Sequence, residues 1–170
     1  MVFVVGNNDG HLYEKYYNGS TWMWEPQGLP TTTTGGVSAP AAHDDPALAR
    51  TYVFVAGTDA RLYDKYYNGS SWIWEHKDTP GVTTISGTGA WGPAVAYLSA
   101  LHRLVVFVVG ADGKAYDKYS DDGSTWVGLG ARGISIAELE KTPLGLRPRR
   151  STRVRQLAPG PRHNMGVEEG

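Results

Sequence analysis

Apolar and polar positions alternate along short runs, and the same runs return three times. Phe3, Phe54 and Phe107 begin equivalent apolar segments, and Tyr13, Tyr63 and Tyr116 follow at equivalent places. The middle copy shows the pattern best. Val53-Phe54-Val55 is a β-branched and aromatic run that stops at the turn residues Gly57-Thr58-Asp59. A second strand is predicted over Leu62 to Tyr67, closed by Asn68-Gly69, which reads as a two-residue type I′ hairpin turn because both residues tolerate positive φ. The returning strand is Ser71-Trp72-Ile73-Trp74-Glu75, where period-two geometry puts both tryptophans on one face.

Between the copies lies a candidate fourth strand. Gly92 to Tyr97 precedes the third copy, and a looser equivalent, Ser38 to Ala42, precedes the second. Both are short, small and apolar, as suits a crowded inner strand. A repeat of about 50 residues carrying four antiparallel strands is the blade of a β-propeller, with a β-helix solenoid as the competing repeat architecture. The fold class expected is therefore all-β, with blades over about 1–35, 36–85 and 86–133. The first copy starts inside its Phe3 strand and lacks an inner strand, and closed propellers use about four to eight blades. An incomplete ring follows, in a chain that is either a homo-oligomer subunit or a piece of a longer propeller.

Charge and aromatic content divide the chain further. Residues 1–140 carry 9 Lys and Arg against 15 Asp and Glu, while residues 141–170 carry 7 against 2. All 19 aromatic residues fall at or before Trp126. The segment 134–170 therefore reads as a basic, flexible tail with little from which to build a core, save a short helix around Ile136 to Glu140. Its arginines lack the aromatic platforms that single-strand binding uses, so no nucleic-acid partner is expected. With no cysteine there is neither a disulfide framework nor a thiolate metal site. No signal peptide or membrane-inserting segment is legible, and the cellular location stays open.

The V-F-V-x-G strand, the T-D or D-G turn, L-Y-x-K-Y-Y, N-G-S-x-W-x-W and a following G-P-A-V resemble the repeat of the PLL-type bacterial propeller lectins, typified by the Photorhabdus lectin, over residues 2 to about 128. The resemblance implies binding of fucose or O-methylated sugars between neighbouring blades, without a metal or other cofactor. On that reading the partners are fucosylated or methylated glycans, bound at several sites per assembly. Sugar sites pair an aromatic face with a few fixed polar groups, and the repeat contains both. The candidate carbohydrate-binding residues are Trp22, Trp24, Trp72, Trp74, Tyr13, Tyr63, Asp59 and Arg61. Asp9, His11, Lys15, Lys65 and Lys118 are further polar candidates, although a tryptophan at fixed phase in every blade also suits packing between blades. The third repeat departs from the pattern: its hairpin is one residue longer and Gly128 replaces the second tryptophan. A pocket relying on that tryptophan is expected to be impaired there.

The same segment, Tyr119 to Trp126, approaches the Asp-box of sialidases and related propellers, a hairpin motif that carries no catalysis. A sialidase-like site also needs several converging arginines, and Arg50, Arg61, Arg103 and Arg132 do not recur in phase. Glu14, Asp64 and Asp117 do recur in phase, which fits structure or repeated binding better than a unique catalytic pair. The histidines show no metal spacing. An enzyme is therefore not expected, and a non-catalytic protein-interaction propeller is the alternative to a lectin. The sequons at Asn18 and Asn68 fall on tight turns, where the hairpin reading takes precedence.

Overall fold

The computed structural model describes residues 1–79, 85, 86 and 92–129. The expected helix near Ile136, Arg132 and the basic tail lie outside the described residues. Three antiparallel sheets follow one another along the chain. The first contains β1 (Val2–Val5), β2 (Leu12–Tyr17) and β3 (Trp22–Gly28) in that order. The second contains β4 (Ala41–Asp45), β5 (Arg50–Ala56), β6 (Leu62–Tyr67) and β7 (Trp72–His76). The third contains β8 (Ala94–Leu98), β9 (Arg103–Val109), β10 (Ala115–Ser120) and β11 (Val127–Leu129). The fold is all-β, an open arc of propeller-like blades rather than a closed ring. Among the described residues the first blade has three strands where the others have four.

The fourth strands form where small apolar residues were expected, shifted by one to three residues toward the C-terminus. β4 keeps Ala41 and Ala42 but runs on through His43-Asp44-Asp45, because these residues pair with Tyr52, Thr51 and Arg50 across a reversal. Inner strands β4 and β8 lie side by side, with His43 and Tyr97 in edge contact at 6.2 Å. Ile85 bridges to Gly110 of the third sheet as Val37 bridges to Gly57 of the second.

The Asn-Gly hairpins form, but not as two-residue turns. Tyr17 pairs with Trp22 and Tyr67 with Trp72, so each loop spans four residues. Positive φ is confined to the glycine, 95° at Gly19 and 97° at Gly69. The asparagine acts through its side chain instead. The Asn18 Oδ1 accepts from the amides of Ser20 (2.9 Å) and Thr21 (2.8 Å), and the Asn68 Oδ1 does the same for Ser70 and Ser71 at 2.9 Å each. Asp122 repeats this cap in the third hairpin, accepting from Ser124 (2.8 Å) and Thr125 (2.7 Å), which holds its carboxyl far below the usual range.

Alternation sorts each strand's side chains between two interfaces. Within β5, Val53 and Val55 face the first blade, packing with Leu12, Phe3 and Val5. Tyr52, Phe54 and Ala56 face the third blade, against Leu104, Val106 and Val108. All five β5 residues are at most 1% exposed. At about 1.5–3 kcal/mol for each large side chain buried, this strand anchors both interfaces. The third hairpin is tied down by Tyr52, whose hydroxyl donates to the Gly123 carbonyl at 3.3 Å.

Candidate functional site

In the second and third blades the strand that carries the Y-x-K motif, β6 and β10, lies beside a cleft toward the preceding blade. Its tyrosine is held by the turn just before it: Tyr13 donates to Asp9 at 2.6 Å, Tyr116 to Asp112 at 2.8 Å, and Tyr63 makes the same bond to Asp59. In the first and third blades this bond to a carboxylate is the main reason the phenol titrates above its usual range; for Tyr63 burial contributes most and Asp59 next. The proton of Tyr63 is committed to Asp59, so the Thr32 hydroxyl, 2.5 Å from the tyrosine oxygen, is the donor in that pair.

Two residues further on, the lysine crosses to the preceding blade. Lys65 donates to the Gln27 carbonyl, which also accepts the Trp74 indole at 3.1 Å. Lys118 donates at 2.5 Å to the carbonyl of Lys77, the residue equivalent to Gln27. Burial lowers both ammonium groups, Lys65 to about 8. These lysines tie blade to blade. Between tyrosine and lysine comes the acid: the Glu14 carboxylate accepts from the Gln27 side-chain amide at 3.0 Å. The wholly buried Asp64 lies 3.4 Å from the Lys77 ammonium, which is bonded to Glu75 at 2.6 Å.

Two of the clefts between blades stand at equivalent positions of the repeat and differ in their contents. Between the first and second blades, a cleft of about 110 Å³ is lined by Pro30, Thr31, Thr32, Tyr63, Trp74 and His76, with Glu75 at its side. Between the second and third blades, the equivalent cleft has about 250 Å³. Tyr116 stands there for Tyr63, and Gly128 for Trp74. The indole that occupies the first cleft is thus missing from the second, where Leu62, Ile85 and Val108 form apolar walls and Asp78 and Lys118 supply polar groups. The third repeat was expected to have the impaired pocket. The cleft there lacks the indole and is the wider of the two, because a glycine leaves room where a tryptophan fills it.

The sequence-predicted site residues separate accordingly. Tyr63 and Trp74 line the first cleft, and Asp59 reaches it by way of the Tyr63 hydroxyl. Trp72 is partly buried: it packs edge-on against Phe3, 5.6 Å between centroids, and lines another cleft between the first two blades together with Glu14, Tyr16 and Glu25. Arg61 is exposed at the turn before β6. Tyr13, Trp22 and Trp24 share the outer face of the first blade, away from both clefts, with each tryptophan 55% exposed. Sequence reasoning named Lys118 as a polar candidate but passed over Tyr116 and Asp117 as site residues, although their phase with Tyr63 and Asp64 pointed to them. Asp78, at φ 61°, and Ile85 had no motif to mark them.

No family model and no curated protein matches the chain. Among solved structures it is similar to a fucose lectin from Kordia zhangzhouensis in complex with methyl-fucoside, with a TM-score of 0.52 and 14% identity over 79% of this chain and 89% of that one. The chain shares the fold of that structure. At that identity the likeness extends to the fold alone and does not single out the PLL-type family. No helix among the described residues is long and apolar enough to cross a membrane.

Proposed function

We propose that this protein is a carbohydrate-binding lectin that holds a sugar in the cleft between neighbouring blades, with the cleft between the second and third blades as the principal site. The observation that carries this reading is the change from Trp74 to Gly128 at equivalent positions, which opens a cavity of about 250 Å³ with apolar walls and a few polar groups. Such a mixture suits a pyranose, whose C–H face packs on apolar and aromatic surface while its hydroxyls take fixed partners. Tyr116 supplies the aromatic wall and Asp78 an acceptor. Lys118 spends one proton on the Lys77 carbonyl and has others to offer.

Fucose or an O-methylated sugar is the ligand class, since a methyl group fits the wall made by Leu62, Ile85 and Val108. Both the sequence resemblance and the ligand named for the similar lectin support it. Binding is non-catalytic and uses no metal on this reading, and useful strength comes from several such clefts engaging one glycan surface. Calorimetric titration with methyl-fucoside and O-methylated monosaccharides, with chelator present, tests it. Saturable binding unaffected by chelator is expected. A flat response in cooperatively folded protein would transfer the cleft to the protein-interaction reading.

A further inference from the structure

The second and third blades each meet the one before through the same aromatic contact. Trp72 of the second blade stands edge-on to Phe3 of the first, with centroids 5.6 Å apart and planes at 80°. Trp126 of the third stands the same way on Phe54 of the second, at 5.4 Å and 73°. Trp22, Trp72 and Trp126 open equivalent returning segments, and Phe3, Phe54 and Phe107 sit at equivalent places in β1, β5 and β9. The series has two further members on opposite ends of the arc: Trp22, 55% exposed, and Phe107, 40% exposed.

The surroundings of Trp22 repeat the buried interface residue by residue. Val53 and Val55, fully buried against the first blade, correspond to Val2 and Val4, which are 52% and 36% exposed. Lys15 sits 4.9 Å over the Trp24 ring as Lys65 sits 4.9 Å over Trp74. The donor pair that takes the Gln27 carbonyl in the second blade is therefore preassembled in the first. Strand register puts Val2, Val4, Lys15, Trp22 and Trp24 on one face, a contiguous apolar surface of the kind that marks an interaction site. At the other end, Val127 is 40% exposed and pairs with Tyr119, which places it on the Phe107 side of the third sheet.

We propose that the Trp22 face of one copy of this chain docks onto the Phe107 face of a second copy, continuing the blade-to-blade contact across the chain boundary. The occupant follows from continuity: a blade is what covers this face in the second and third repeats, and the complementary face is on the same chain. Such a contact is heterologous: successive copies turn through the same rotation as the blades, and the assembly is a ring where that rotation divides a full turn. Docking also gives Tyr13 the position that Tyr63 and Tyr116 hold, creating another interblade cleft with one wall from each copy. The proposal is independent of what the clefts bind.

Single-face variants of the full chain test it. Trp22→Asp removes one face and leaves the other, and Phe107→Asp does the converse; both residues are partly exposed, and cooperative melting checks that each variant folds. Sedimentation velocity is expected to show an oligomer for the wild type, a monomer for each variant alone, and a dimer when the two variants are mixed, since each then contributes its intact face. A monomeric wild type would overturn the proposal. So would a Trp22→Asp variant of wild-type size, or a mixture that stays monomeric. Should an aspartate variant fail to melt cooperatively, Trp22→Gln replaces it, and a wild-type mass unchanged by that substitution would equally overturn the proposal.

Discussion

Asp64 makes the fold pay for acidity in an unusual direction. Its side chain is wholly buried, and among the described residues neither carboxyl oxygen accepts a hydrogen bond. The neighbouring Lys77 ammonium is 3.4 Å away and is already bonded to Glu75 at 2.6 Å, so its attraction only partly offsets the desolvation of the carboxylate. Burial therefore raises the group from 3.8 to about 7. The unfolded chain releases this proton near 3.8 while the folded chain keeps it until about 7. Between those values the unfolded state binds fewer protons, and this contribution to stability falls as pH rises. At 1.36 kcal/mol per tenfold change in proton activity, the loss amounts to about 4 kcal/mol once pH exceeds 7. Asp64→Asn removes the titrating group while keeping its shape. Urea unfolding at fixed protein concentration across this window should show the variant close to wild type at the acid end and more stable by a few kcal/mol above neutrality, with a shallower pH dependence. Lys65 does not confuse the comparison, because it stays protonated in both states until about pH 8. A variant less stable than wild type above neutrality, or one with the wild-type slope, would refute the reasoning.

Two further outcomes test the packing. Trp126→Ala removes a ring packed on Tyr52 and Phe54 and should lower stability by about 3–5 kcal/mol in chemical denaturation. Gly123→Ala should destabilise strongly in a thermal melt, because the residue holds φ 71° and an added Cβ would lie 2.2 Å from Leu48 Cδ1 and 2.5 Å from the Tyr52 hydroxyl.

Strand identity was legible because it is set locally. The phase of Val53-Phe54-Val55 and of Leu62 to Tyr67 is the phase observed, and β6 has the expected bounds. The hairpin turn was misread in type, since the Asn18 and Asn68 side chains compete with the backbone for the loop amides and lengthen the turn to four residues. The site was harder to read because it depends on neighbours distant in sequence. Trp22, Trp72 and Trp126 share a phase, yet one is exposed and two are partly buried against interblade cores, and what separates them is the presence of a preceding blade. Gly128 looked like the loss of a contact. Only the arrangement of Leu62, Ile85 and Val108 around it shows that the glycine opens space.

The claim that the second and third blades enclose a sugar site is tested most directly by Gly128→Trp, which restores the indole that occupies the equivalent cleft. An added Cβ at Gly128 meets nothing within 4 Å, so the backbone tolerates a side chain. Calorimetric titration of wild type and variant with methyl-fucoside, on samples with matching melts, should show saturable binding in the wild type and loss of that site in the variant. Undiminished binding in Gly128→Trp would contradict the account.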